Sequence, residues 1–147
     1  MRVLLDTNIL VRLRDADSPL HRPCVEAIDA LFGQSVQICL CLQASIEFWS
    51  VCTRPREVNG MGLSPEEAYA DCQRFRNAFT LLEEPPDIAD RWMLLAHRYD
   101  IRGKQVHDAR LAAFAVAHRI DVILTLNPDD FARYNELTIL NPTEVPR

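Results

Sequence analysis

Lysine, glycine and long apolar stretches are all scarce in this sequence. Its 147 residues include four glycines and a single lysine, Lys104. They form no Gly-rich phosphate loop or Walker motif, which excludes the nucleotide-binding classes that depend on one. No apolar stretch approaches the length of a membrane helix, and none has the pattern of a secretory signal. We therefore expect a cytoplasmic protein that does not enter a membrane.

The cysteines and histidines lack the spacing of a zinc or redox site. The chain has no Cys-x-x-Cys pair, its cysteines are odd in number, and its four histidines are scattered. This pattern argues against a structural zinc site and against a disulfide framework. We expect the cysteines to be reduced, buried and used as small apolar side chains. They are Cys24, Cys39, Cys41, Cys52 and Cys72.

The net charge of −5 argues against a protein that holds a polyanion by electrostatic attraction alone. It does not exclude a nuclease, because an acidic site adds negative charge and a bound divalent cation reverses the local sign. Arg54, Arg56, Arg102 and Arg110 are the candidates for contact with a phosphate backbone.

Predicted strands alternate with predicted helices along the chain. Strands are predicted at residues 2–5, 36–42, 80–82, 122–126 and 137–140, and helices at 8–13, 18–33, 43–53, from 64 onward, 86–99 and 106–119. The strands contain continuous apolar runs, typical of strands covered on both faces. We predict a single α/β domain over residues 1–147, in which a central parallel sheet of about four to five strands is flanked by helices on both faces.

Acidic residues occur in four chain segments that such a sheet brings to one edge. They are Asp6 after the first strand, Glu47 in the second turn of a helix, Asp108 in the first turn of a later helix, and Asp129 and Asp130 after the fourth strand. Ligands usually bind at the carboxyl edge of a parallel sheet. Oxygen-rich sites suit Mg²⁺ and Mn²⁺, and such ions can activate water and orient a phosphodiester.

Each acidic residue also has a purely structural interpretation. Asp6 could cap the turn that follows it, and Asp108 could interact with the dipole of its helix. Glu47 could lie on a narrow solvent-exposed strip of a mostly buried helix, and Asp129 and Asp130 could belong to an ordinary turn. Convergence at one edge weakens these interpretations, because neighbouring carboxylates repel one another unless they are protonated or bind cations.

Four short motifs, in this order, resemble the PIN-domain family. They are Leu4-Leu5-Asp6-Thr7-Asn8, Ile46-Glu47, His107-Asp108-Ala109, and Leu124-Thr125-Leu126-Asn127 followed by Asp130-Phe131. The resemblance implies a parallel α/β sandwich and an endoribonuclease that cleaves single-stranded RNA with Mg²⁺ or Mn²⁺. A stand-alone domain of this size is similar to bacterial VapC-type toxins, which implies a small antitoxin partner and a homodimer.

The resemblance also implies the site residues. Asp6, Glu47 and Asp108 match the first three acidic positions, and Asp130 is the preferred fourth catalytic and metal-binding residue. Whether Asn127, Asp129 or Asp130 completes the metal site stays open. The polar residues that the resemblance implies as auxiliary groups are Asn8, Thr125 and Asn127.

Two other functions remain as alternatives. A phosphatase of the haloacid dehalogenase type also begins with an aspartate after the first strand, but its chemistry requires a second aspartate where this chain has Asn8. A PIN fold used only for binding would be expected to lose acidic residues, whereas this chain keeps a candidate at every position.

Overall fold

Five short strands form one parallel sheet in the computed structural model, which describes all of residues 1–147. The strands are β1 (Arg2–Leu5), β2 (Gln37–Leu40), β3 (Thr80–Leu81), β4 (Val122–Leu124) and β5 (Thr138–Leu140). Their order is β3-β2-β1-β4-β5, and every neighbouring pair is parallel. This confirms the predicted α/β fold, and β5 lies at one edge of the sheet.

Six helices cover the sheet. They are α1 (Thr7–Arg14), α2 (His21–Gly33), α3 (Leu42–Thr53), α4 (Pro65–Ala78), α5 (Ile88–Arg98) and α6 (Val106–Ala117). The connections through α1 to α4 lead from β1 to β2 and then to β3, in one direction across the sheet. The connection through α5 and α6 runs in the opposite direction, from β3 back past β1 to β4. Because parallel crossovers are right-handed, the two groups of helices lie on opposite faces. None of these helices is long and apolar enough to cross a membrane.

Local caps explain why two predicted elements are shorter than expected. The second strand ends at Leu40 because Cys41 caps α3, its Sγ accepting a hydrogen bond from the Ala44 amide at 3.4 Å. The second helix begins at His21 and not at Ser18, whose hydroxyl instead accepts from the amide of Leu20. In both cases a local side-chain hydrogen bond forms a cap or a turn over residues that the apolar pattern assigns to the predicted element.

The buried residues form one hydrophobic core around the sheet. β1 and β4 lie at its centre, and their residues after Arg2 are all buried. The five cysteines are free, as predicted. The expectation that all five are buried is wrong for Cys72, which is partly exposed on α4. Burial raises the pKa of Cys24 to about 11 and that of Cys41 to about 12, so both stay protonated at neutral pH.

The prediction of a mostly buried third helix is wrong on one side. Ala44, Phe48 and Cys52 are buried, but an apolar row on another side of α3 is exposed to solvent. Leu42 is 47% exposed, Ile46 59% and Trp49 36%.

Candidate active site

The carboxyl edge of the sheet has a reversal point between β1 and β4. The chain winds from β1 in one direction and from β4 in the other, so the ends of these two neighbouring strands leave a crevice between their following segments. Asp6 follows β1 directly and Thr125 follows β4 directly, and both are buried. The crevice is therefore lined by polar groups from two distant parts of the chain.

Hydrogen bonds hold both oxygens of the Asp6 carboxylate. Oδ1 accepts from the Thr7 amide at 2.8 Å, so Asp6 does cap α1, as the structural interpretation expected. Oδ2 accepts from the Thr125 hydroxyl at 2.8 Å and from the Asn8 amide group at 3.2 Å. The Asn8 side chain is itself fixed, because its Oδ1 accepts from the Leu126 amide. Asn8 and Thr125 thus orient Asp6, and the cap leaves Asp6 in the crevice.

The Glu47 carboxylate is held on both sides. The Thr7 hydroxyl donates to Oε2 at 2.6 Å, which links α1 to α3. The Gln43 amide group, one turn earlier on α3, donates to Oε1 at 3.0 Å. Glu47 is only partly buried, yet its position is fixed by two neutral donors and by no cation. Contacts within the protein therefore order Glu47, although part of its side chain remains exposed to solvent.

Gln43 also connects Glu47 to the first turn of α6. Its Nε2 donates to the backbone carbonyl of His107 at 2.8 Å, next to Asp108. Its Oε1 is buried and has no hydrogen-bond partner. Exchanging the amide oxygen and nitrogen would place the oxygen against two acceptors, so the hydrogen-bond pattern allows only one orientation.

Charge repulsion links the four acidic residues. Burial, together with the charges of Asp6, Asp130 and Glu47, raises the pKa of Asp108 to about 6. Burial also raises the pKa of Asp6, against the lowering effect of its hydrogen bonds, and the charges of Glu47 and Asp130 contribute. Buried carboxyl groups whose pKa is raised by neighbouring carboxylates are typical of functional sites.

The structure distinguishes the residues that follow β4. A short 3₁₀ turn over Pro128–Asp130 leaves Asp129 exposed and Asp130 partly buried, with its charge acting on both Asp6 and Asp108. Asn127 is exposed, and only its backbone amide contacts the crevice, donating to the Thr125 hydroxyl.

The chemistry of these donors fits a divalent cation of the magnesium type. No three acidic, histidine or cysteine side chains already converge on one point. Mg²⁺ does not require three, because it keeps several waters and is usually held by one or two carboxylates. The Asp108 carboxylate accepts no hydrogen bond that would stabilise its charge. The Gln43 Oε1, which has no partner, lies beside Glu47 and is a suitable acceptor for a metal-bound water. Asp6 and Asp108 are the candidate direct ligands, with Glu47 and Asp130 completing the acidic shell.

The arginine candidates lie in different surroundings. Arg110 pairs with Glu84 at 3.1 Å beside the first turn of α6, and Arg102 pairs with Asp100 on the surface. Arg54 is exposed. Arg56 lines a separate cavity of about 620 Å³ at the far end of α1.

The sequence motifs did not assign Thr7 or Gln43 a role. Thr7 stands directly after Asp6, and Gln43 lies four residues before Glu47, so it shares the polar side of α3 with that glutamate. Helical spacing alone could have suggested the second contact.

Residues 3–137 match the model of the PIN domain family, and the chain belongs to this family. It is 28% identical over 140 residues to "Ribonuclease VapC24" of Mycobacterium tuberculosis, with 94% of each chain covered. Its fold resembles the structure of VapBC2 from Rickettsia felis bound to a promoter DNA fragment, with a TM-score of 0.71, 17% identity, and 96% and 98% of the two chains covered. It also resembles VapC20 of Mycobacterium tuberculosis, described as a toxin that cleaves the sarcin–ricin loop, with a TM-score of 0.66, 15% identity, and 90% and 95% coverage.

Proposed function

We propose that this protein is an endoribonuclease that cleaves single-stranded RNA with Mg²⁺ or Mn²⁺ and serves as the toxin of a toxin–antitoxin pair. The observation that carries the proposal is an acidic crevice at the carboxyl edge of the sheet, in which the charges of Glu47 and Asp130 help to raise the pKa of both Asp6 and Asp108. The family membership and the ribonuclease name of the relative from Mycobacterium tuberculosis support the same reaction class.

The hydrogen bonds of each acidic side chain indicate its role in this proposal. Asp6 is held rigidly by Thr125 and Asn8, so it offers a fixed oxygen at the bottom of the crevice. Asp108 lacks such hydrogen bonds, so its negative charge is unfavourable unless a cation or a proton balances it. A divalent ion bound there would neutralise the phosphodiester and lower the pKa of an attacking water.

Glu47 supplies the acceptor on the α3 side. Its two donors, Thr7 and Gln43, hold its oxygens in place, so the carboxylate can orient a water or receive a proton from one. Its neutral donors leave its charge uncompensated, which increases the attraction of the crevice for cations.

The partners in this proposal follow from the negative charge of the site. A small antitoxin would occupy the acidic crevice with an arginine or lysine side chain, since a guanidinium pairs well with carboxylates. The solved VapBC complexes that share this fold are consistent with such a partner. We propose further that the protein forms a homodimer and acts in the cytoplasm.

RNA cleavage by the purified protein tests the activity. Labelled single-stranded RNA is incubated with Mg²⁺, Mn²⁺ or EDTA, and the cut ends are mapped. We expect metal-dependent products with 5′-phosphate and 3′-hydroxyl ends, because a metal-activated water is the nucleophile. Products with 2′,3′-cyclic phosphate would contradict the proposal, since they form when the RNA's own 2′-hydroxyl attacks.

A pair of matched variants assigns the activity to the site. Glu47→Gln should lower the cleavage rate at least about 100-fold, the scale expected for a positioned acid or base. Glu57→Gln changes an exposed glutamate after α3 and should leave the rate unchanged. Equal rates for the two variants would contradict the assignment of the cleavage activity to this site.

Partner binding needs separate experiments. Size-exclusion chromatography with light scattering should give the mass of a dimer, and a strict monomer at high concentration would refute the homodimer. Co-expression with the product of an adjacent gene should give a complex that has no cleavage activity. If no adjacent product binds, the antitoxin part of the proposal fails.

A further inference from the structure

A cavity of about 550 Å³ lies where the first turns of α5 and α6 meet. It is lined by Ile88, Ala89, Trp92, Val106, His107 and Arg110. The backbone carbonyl of His107 accepts from Gln43, which also donates to Glu47, so the cavity adjoins the acidic crevice. Its volume falls within the range of about 300–1,000 Å³ that is typical of pockets for small ligands.

Trp92 forms a fixed aromatic wall of this cavity. Its indole Nε1 donates to the Val106 carbonyl at 2.9 Å, which ties the ring to the start of α6. A ring that is already ordered loses little entropy when a flat ligand stacks on it. Ile88, Ala89 and Val106 make the neighbouring wall apolar.

Arg110 forms the charged wall. Its Nη2 pairs with Glu84 at 3.1 Å, and the two side chains are about one-third exposed, at 33% and 28%. Its Nη1 and the Glu84 Oε1 are both buried without a hydrogen-bond partner, so a ligand would contact the exposed part of the guanidinium that lines the cavity. The ring nitrogens and carbonyl oxygens of nucleobases are suitable acceptors for a guanidinium.

We propose that this cavity binds one unpaired base of the RNA, next to the phosphate that is cleaved. The base stacks on Trp92, and Arg110 contacts an acceptor on its edge. This inference rests on the proposed ribonuclease function and adds a specificity determinant to it. A base within a duplex is stacked and paired and cannot enter, so the cavity would also select single-stranded RNA.

Tryptophan fluorescence can test the cavity without any cleavage assay. The chain has two tryptophans, and Trp49 lies on the exposed side of α3. The Trp49→Phe variant therefore reports on Trp92 alone, and Trp92→Phe is the matched control that reports on Trp49 alone. Both are titrated in EDTA with single-stranded pentamers of each ribonucleotide and with a duplex of the same length, while the anisotropy of labelled pentamer follows total binding.

We expect saturable quenching of Trp92 by at least one pentamer, none by the duplex, and none in the Trp92→Phe control. Trp92→Ala should bind that pentamer about tenfold more weakly, the loss expected for one stacked base. Arg110→Gln should keep the quenching but reduce the difference among the four pentamers.

The outcomes separate the cavity from the activity. If anisotropy shows binding while Trp92 is unchanged, or if Trp49 is quenched instead, the base pocket is wrong and the ribonuclease proposal stands. If Trp92 is quenched but RNA is never cleaved, the pocket stands and the ribonuclease proposal fails. If no pentamer binds at all, the base pocket is wrong, and the ribonuclease proposal is decided by the cleavage assay with Mg²⁺ or Mn²⁺.

Discussion

Replacing Asp108 with asparagine should raise the stability of the metal-free protein at neutral pH. The variant keeps the shape of the side chain and removes the charge that burial and the other carboxylates disfavour. Because the folded pKa of about 6 lies above the ordinary value of 3.8, the folded state holds this proton more tightly than the unfolded chain. The stabilisation that results is complete below pH 3.8 and is lost as the pH rises towards about 6.

The size of the effect follows from this shift. Two pKa units correspond to about 3 kcal/mol, and solvent screening of a half-buried group reduces this to about 1–2 kcal/mol. For a chain of this length, each kcal/mol changes Tm by about 2–4 °C. We therefore expect Asp108→Asn in EDTA to melt about 2–8 °C above the wild type at pH 7.5, with a smaller difference at pH 4.5.

Thermal melts at the two pH values, in EDTA and in Mn²⁺, measure both parts of this prediction. An ion at 100 times its Kd stabilises the folded state by about 2.7 kcal/mol, and the variant should gain much less. Asp129→Asn is the control, because Asp129 is exposed in the short turn after β4, and it should behave like the wild type. The reasoning is refuted if Asp108→Asn is less stable than the wild type in EDTA at pH 7.5, as a favourable helix-dipole role would require.

Two further variants test contacts away from Asp108. Thr7→Val removes the hydroxyl that donates to Glu47 at 2.6 Å. Single-turnover cleavage should slow about tenfold or more, since a hydrogen bond to a charged group contributes about 1.5–3 kcal/mol. An unchanged rate would exclude Thr7 from the site. Arg14→Ala removes one of the two arginines that pair with the buried Asp71, the other being Arg74, and should cost about 1.5–3 kcal/mol in urea unfolding. Arg22→Ala, in an exposed pair, should cost less than about 1 kcal/mol. Equal losses would contradict the importance of the buried pair.

Most of the fold was predictable because its signals are local. Apolar runs mark β1 and β4, and the serine–proline–glutamate pattern at the start of α4 forms a capping box at Ser64. The exposure of Leu42, Ile46 and Trp49 was not predictable, because an apolar side chain reports only a preference for burial and not whether a partner element covers it.

The site was predictable at the level of strand ends and helix starts. Asp6 and Asp108 could be placed at the same edge because parallel strands share their direction. The preference for Asp130 over Asp129 came from the family resemblance and not from a local signal, since the exposure of the two side chains depends on one 3₁₀ turn. The bridge from Gln43 to α6 depends on how two helices approach each other, which sequence spacing does not specify.

Direct measurement of Mn²⁺ binding tests the central claim that these carboxylates hold a divalent ion. Electron paramagnetic resonance of free Mn²⁺ during titration gives the affinity without RNA or cleavage. The account predicts that the wild type binds Mn²⁺ and that Asp6→Asn, which preserves the helix cap, binds it at least about tenfold more weakly while keeping its fold. Binding of equal affinity in the two proteins would contradict the account.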